Sequence, residues 1–253
     1  MNEYYEEAQA VNEVWSEGIP QWLLRQQIHK GMRLLDLGCG SGHAFENLRN
    51  IGPVYTGVDW SEQIIKRNRE IHEEEATFLV GSIYDTQLPS NNYDMVFSLY
   101  VLEHLVWPHI FLSEMVRLAK PGGLIFVVCP NYRPYGRMPS LWYGIPSSLK
   151  QKLRTEHFFD AMRHAALRSI YYPFMIKTRY PLNEYPFLIN LSPSCLNGHW
   201  HVDTDAVYFV DRREVASELC WLGTKDITSE LLRGSMPELV VNKSLCLIVA
   251  RKS

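Results

Sequence analysis

The chain has 253 residues, with 25 Lys plus Arg against 28 Asp plus Glu, for a formal charge of −3. Hydrophobic residues make up 46% and charged residues 21%, close to globular averages, which excludes wholesale disorder. The near-neutral balance offers no broad basic face to a nucleic-acid backbone, and no apolar run approaches the roughly 18 residues of a membrane span.

The first residues, Met1-Asn2-Glu3-Tyr4-Tyr5-Glu6-Glu7, are acidic and aromatic, the opposite of a secretory leader, so a cytoplasmic protein is expected. Residues 1–30 are expected to form an N-terminal helical lid. Arg33-Leu34-Leu35-Asp36-Leu37 reads as a buried strand ending in a glycine turn, followed by a helix over 43–50. Val54-Tyr55-Thr56-Gly57-Val58 reads as a second strand, with Ser61 as N-cap of a helix over 62–74. Short strands follow at 77–80 and 93–98. Pro108 suits the first turn of a helix whose apolar positions Ile110, Phe111, Met115 and Leu118 fall near helical spacing. Pro121-Gly122-Gly123 reads as a turn and 124–128 as a fully apolar fifth strand. Strands alternating with helices predict βαβ units and a parallel sheet covered on both faces.

From Pro130 to about Ala206 that rhythm breaks, and Pro, Tyr, Trp and Phe dominate. Regularity returns with a helix over 211–222, a turn at Gly223, a strand near 226–231 and a last strand over 244–250. Five cysteines (Cys39, Cys129, Cys195, Cys220 and Cys246) are odd in number and lack a CxxC pair. They suggest neither a disulfide framework nor a zinc knuckle. The expected organisation is one domain over 1–253, with a core at 31–130, an insertion at 131–206 and a closing helix and strands at 207–253.

The most informative string is Leu34-Leu35-Asp36-Leu37-Gly38-Cys39-Gly40-Ser41-Gly42. Glycines between a strand and a helix let the backbone approach a ligand closely. Asp59, ending the second strand, suits a carboxylate that accepts ribose hydroxyls, which a nicotinamide dinucleotide would also satisfy. The spacing argues against that ligand, because the sixth position of a G-x-G-x-x-G fingerprint here is His43. An acid two residues before the first glycine suits an ammonium group and would repel a pyrophosphate.

This string resembles motif I of class I S-adenosylmethionine-dependent methyltransferases, and Val58-Asp59 resembles their ribose-binding acid. Asn92-Tyr93-Asp94-Met95-Val96-Phe97-Ser98, with Val101-Leu102-Glu103-His104-Leu105 after it, is similar to their fourth strand and following loop. Leu118-Ala119-Lys120-Pro121-Gly122-Gly123 is similar to the turn before their fifth strand. The resemblance implies a Rossmann-like α/β sheet of five parallel strands plus an antiparallel closing hairpin, with a substrate cap inserted after strand five. It implies S-adenosyl-L-methionine as cofactor. Asp36, Gly38, Cys39, Gly40 and Gly42 would line its methionine end, and Asp59 would hold the ribose. Trp60, Ser82, Ile83, Ser98 and Leu99 would lie around the adenine and the strand-four edge. The family often has Asp where this chain has Ser82; Asp85 is a substitute, or Ser82 serves alone.

A hydroxyl acceptor needs a group to take its proton, and positioning does the rest of the work of methyl transfer. No N/D-P-P-Y string follows strand four, where Ser98-Leu99-Tyr100-Val101 stands, which disfavours nucleobase or amide acceptors. His104, in the loop after strand four, is the first candidate base. Glu103-His104 also resembles the metal loop of ubiquinone-pathway O-methyltransferases, but those carry a further acid where this chain has Tyr100, so no metal is expected. His199-Trp200-His201-Val202-Asp203 is a second polar cluster, from which His201 and Asp203 are the reserve candidates. The inserted segment sets aromatic residues beside Arg133, Arg137, Arg154, Arg163, Arg168 and Arg179, a pairing suited to a saccharide or nucleotide-linked sugar, or to a homodimer interface. The expected function is O-methylation of a small hydroxylated molecule, such as a saccharide. The alternatives are a quinone- or phenol-type or amine acceptor, and a catalytically silent cofactor-binding relative.

Overall fold

Five short segments with apolar, β-branched character form the centre of the sheet: β1 (Arg33–Leu37), β2 (Val54–Asp59), β3 (Thr77–Val80), β4 (Tyr93–Leu99) and β5 (Ala119–Pro130). All pair in parallel. Two further strands, β6 (Thr224–Asp226) and β7 (Leu245–Lys252), complete the order β3-β2-β1-β4-β5-β7-β6. β7 lies antiparallel to both its neighbours. The computed structural model describes residues 18–72, 74–132, 206–233 and 245–253, with six single positions between 158 and 174.

Strand alternation sorts the core into two layers. On β5, Ile125, Val127 and Cys129 enter one cluster, whereas Leu124, Phe126 and Val128 enter the other. The first layer is closed by α4 (Pro108–Leu118) and α5 (Arg212–Trp221), through Phe111, Leu112, Met115, Val215 and Leu219. The second is closed by α1 (Ile19–Gln26), α2 (His43–Leu48), α3 (Glu62–His72) and α6 (Thr228–Leu232). Here Leu23 and Leu24 of α1 pack beside Phe45 and Ile65. Strand order reverses between β1 and β4, so the carboxyl ends of these two strands open the crevice where open α/β sheets take ligands.

Three details depart from the sequence reading. The strand expected near 226–231 stops at Asp226, because Asp226 Oδ1 accepts from the Thr228 amide at 2.9 Å and its hydroxyl at 2.6 Å. These bonds turn the chain into the short helix α6. The helix from His43 ends at Leu48, and a tight turn over Arg49–Ile51 closes on Gly52 at φ 80°. The Pro121-Gly122-Gly123 turn is absorbed into β5 as a bulge: Tyr93 faces Ala119, and the register resumes at Met95 with Leu124. Gly122 takes φ 77° there.

The strand ends opposite the crevice are clamped by Asp94, which accepts from the Arg33 amide at 2.8 Å and from Lys120 Nζ at 2.7 Å. At the crevice end, Glu103 O accepts the amides of Val207 and Tyr208 at 2.7 and 2.8 Å, and the Tyr132 amide donates to Val210 O at 2.9 Å. These bonds bring both ends of the 131–206 segment beside the loop after β4. The expected cap falls almost wholly outside the described residues, and His201 and Asp203 lie outside them. Among the described residues no helix is long and apolar enough to cross a membrane, and no three His, Cys, Asp or Glu side chains gather as a metal site.

Candidate functional site

The glycine string wraps the end of β1. Gly38, Gly40 and Gly42 all take positive φ, at 82°, 48° and 81°, which lets the chain turn back over the strand without a Cβ penalty. The Gly38 and Cys39 amides both donate to Val58 O, fixing the loop to the neighbouring strand. Cys39 fills the face of Gly57: a Cβ there would stand 2.8 Å from Cys39 Sγ. On the other side, a Cβ at Gly38 would meet Val101 at 2.4 Å, so the loop after β4 closes on the glycine loop. Gly40 differs from both, since nothing lies within 4 Å of where its Cβ would be. Its backbone is held from below by Asn68 of α3, whose Nδ2 donates to Gly40 O at 2.7 Å.

Two acids belong to this loop region. Asp59 Oδ2 accepts the Gly40 amide at 3.0 Å, and its Oδ1 accepts the Ser61 amide at 3.0 Å. A carboxylate has about four acceptor sites, so each oxygen keeps one direction for a ligand hydroxyl. Asp36 is buried beneath the loop, and Tyr55 Oη donates to its Oδ2 at 2.6 Å. Burial raises the Asp36 carboxyl to about 7, with the nearby Asp59 adding to the rise and the Tyr55 bond opposing it. Burial likewise pushes the Tyr55 phenol and the Cys39 thiol well up, so both keep their protons.

The remaining candidates frame this cradle unevenly. Trp60, 74% exposed, follows Asp59 directly and presents a bare ring. Ser82 and Asp85 bridge in a small turn, where Ser82 Oγ accepts the Tyr84 amide at 3.2 Å. Glu114 of α4 anchors that turn by accepting from the Thr86 amide and hydroxyl at 2.9 and 2.7 Å. Ser98 is buried, and its hydroxyl donates to Leu37 O at 2.9 Å, so its side chain ties β4 to β1. Leu99 is partly exposed beside it. Tyr100 follows at φ 58°, a conformation an L-residue enters at a cost. The short turn Leu102–His104 comes next. The His104 ring is 39% exposed, with Nε2 3.8 Å from Oε1 of the buried Glu103.

The structure therefore brings Asp36, the glycines and Asp59 together, and sets His104 on the loop that touches them through Val101. Sequence reasoning missed Tyr55, Asn68 and Val101. A tyrosine two strand positions from a glycine, and a lone asparagine on the helix after the acid, carry no motif. Their roles emerge only when β2 and α3 pack on the loop.

The family model for a methyltransferase domain matches residues 35–127, which hold the whole cradle and the loop after β4. Residues 35–127 therefore form a methyltransferase domain. A ubiquinone biosynthesis O-methyltransferase of Maricaulis maris is 36% identical over 107 residues, covering 40% of this chain and 42% of that protein. A 2-methyl-6-phytyl-1,4-hydroquinone methyltransferase of Synechocystis is 29% identical over 153 residues, 59% of this chain and 46% of that protein. This methyltransferase chain thus spans less than half the length of those two curated relatives. In fold it is similar to an S-adenosylmethionine-dependent methyltransferase of Mesorhizobium loti, with a TM-score of 0.58, 16% identity, and coverage of 93% of this chain and 99% of that one. The residues present are compatible with S-adenosylmethionine: an uncovered glycine backbone, an acid with free acceptor directions for hydroxyls, and a buried acid beneath the loop.

Proposed function

We propose that this chain binds S-adenosylmethionine in the cradle and directs its methyl group to a hydroxyl of a small phenol- or hydroquinone-type acceptor. The observation that carries the cofactor half is the open face of Gly40, whose amide is held by Asp59. When bound, S-adenosylmethionine supplies an electrophilic methyl on a sulfonium. The chain's own residues then have four tasks. Asp59 accepts ribose hydroxyls, Asp36 faces the ammonium end, and the backbone of 38–42 gives close approach. His104 takes the proton that the acceptor hydroxyl releases, with Glu103 beside it to orient the ring.

For the acceptor, the names of the two curated relatives favour a quinone-type ring over the saccharide suggested by the insertion's composition. The exposed Tyr100, Val106 and Trp107 around the loop after β4 suit a planar apolar ring better than a polyhydroxylated one. The experiment is a methyl-incorporation assay with labelled cofactor against catechols, hydroquinones and nucleotide sugars. Release of S-adenosylhomocysteine with the phenolic set supports the reading. Turnover only with the sugars would restore the saccharide, and cofactor binding without turnover on any acceptor would make the chain a silent relative.

A further inference from the structure

Tyr55 is the one side chain in the described structure that hydrogen-bonds the Asp36 carboxyl, at 2.6 Å. It reaches Asp36 because the pairing of β1 with β2 puts Leu34 opposite Tyr55 and Asp36 opposite Gly57. Tyr55 and Asp36 thus share one sheet face, and the missing side chain at Gly57 leaves the diagonal open. The phenol ring is wedged among Phe45, Phe78 and Phe97, with centroids 5.1, 5.8 and 6.3 Å away, so its hydroxyl has a fixed aim. Neither residue is more than 2% exposed.

A buried carboxylate is costly unless it is paired and hydrogen-bonded. The titratable groups that act on Asp36 among the described residues are Tyr55 and Asp59 of β2 and Cys39 of the glycine loop. None is a cation. One donor, Tyr55, partly offsets the loss of water, and the nearest acid, Asp59, works against ionisation. Among the described residues the site thus has an aimed carboxyl and one fixed donor, but no cation beside Asp36.

We propose that Tyr55 is a positioning residue that holds Asp36 for the ammonium end of the cofactor, and that ligand capture expels one proton from Asp36. This rests on the cofactor reading above. The balance is simple: the Asp36 carboxylic acid loses its proton to solvent, the carboxylate keeps the Tyr55 hydrogen bond, and the incoming ammonium supplies the missing charge. Tyr55 keeps its own proton, because burial and the adjoining acid push its phenol well above the usual value.

The test is calorimetric titration of S-adenosylhomocysteine from roughly pH 5.5 to 8.5, in buffers of different ionisation enthalpy, which counts protons released. In the native chain affinity should fall by about tenfold per pH unit on the acid side of the bend and flatten above it. Release should approach one proton per ligand on the acid side. Tyr55→Phe keeps the ring and loses the donor, so the bend should move to higher pH and neutral-pH affinity should drop about tenfold. Asp36→Asn should abolish the proton release while circular dichroism confirms a folded chain. Native binding without proton release, or a Tyr55→Phe profile that superimposes on the native one, would overturn the proposal and leave the cofactor reading intact. Absence of native binding at every pH would overturn the cofactor reading itself.

Discussion

Asp59 Oδ2 accepts the Gly40 amide at 3.0 Å, so the acid at the end of β2 also sets the height of the glycine loop. Its second oxygen holds Ser61, at the start of α3. On the proposed cofactor reading, loss of the carboxylate removes a ligand contact and also loosens the glycine loop. Asp59→Ala is expected to weaken S-adenosylhomocysteine binding by about 1–3 kcal/mol, the cost of leaving hydroxyls and amides unpaired. Asp59→Asn keeps one acceptor oxygen and should lose less. Calorimetry on the two variants, with thermal melts beside it, checks both orders.

Glycines in the same region should fail in different ways. At Gly40 a side chain meets no protein atom within 4 Å, so Gly40→Val should leave the fold standing, apart from the strain of a positive φ, about 1–2 kcal/mol. Its side chain would occupy the ligand's approach, and S-adenosylhomocysteine binding should vanish. Gly57→Ala instead drives a methyl group against Cys39 Sγ at 2.8 Å and Phe78 at 3.0 Å. That overpacking should cost about 1–3 kcal/mol of stability. Native-like S-adenosylhomocysteine binding in a folded Gly40→Val chain would contradict this division.

The cradle was legible in the sequence because its parts are local: three glycines, an acid two residues before them and an acid ending the next strand. The parallel sheet was legible for the same reason, through five apolar segments between helical ones. The misread strand at 226–231 shows the limit. Ile227-Thr228-Ser229-Glu230-Leu231 has β-compatible residues, but the side chain of Asp226 binds the Thr228 amide and hydroxyl and turns the chain into a short helix there, a choice that pattern alone does not record. Tyr55 and Asn68 were invisible for a different reason. Each acts on a residue of the glycine string, nineteen and twenty-eight positions away, through contacts that exist only once β2 and α3 have packed.

The raised Asp36 carboxyl gives a stability prediction with a definite sign. Folded, this group stays protonated up to about pH 7, whereas unfolded it ionises near 3.8. Its contribution is therefore full below about pH 4 and lost as pH rises through 7. Over that window the ligand-free native chain should lose about 4 kcal/mol relative to Asp36→Asn, whose side chain does not ionise. Paired denaturant melts at several pH values measure the difference, which cancels the other titrating groups. A constant gap across the window would show that Asp36 ionises normally in the fold.

His104 sits on a turn whose backbone is fixed while its ring is reachable. Glu103 O takes two amides from Val207 and Tyr208, His104 N donates to Val101 O at 2.9 Å, and the ring is 39% exposed. Val101, in turn, closes on Gly38, so the turn carrying the imidazole is coupled to the cradle without covering the Gly40 face. A base placed this way can meet an acceptor hydroxyl without contacting the bound nucleoside. His104→Ala should lower turnover by roughly 10²–10⁴-fold, the range expected of a general base, and should leave S-adenosylhomocysteine affinity and melting temperature nearly unchanged. Glu103→Gln removes the neighbouring charge and should lower turnover less, as expected of a group that only orients the ring. Near-native turnover in His104→Ala would move the proton to another acceptor, and His201 and Asp203 are the residues to replace next.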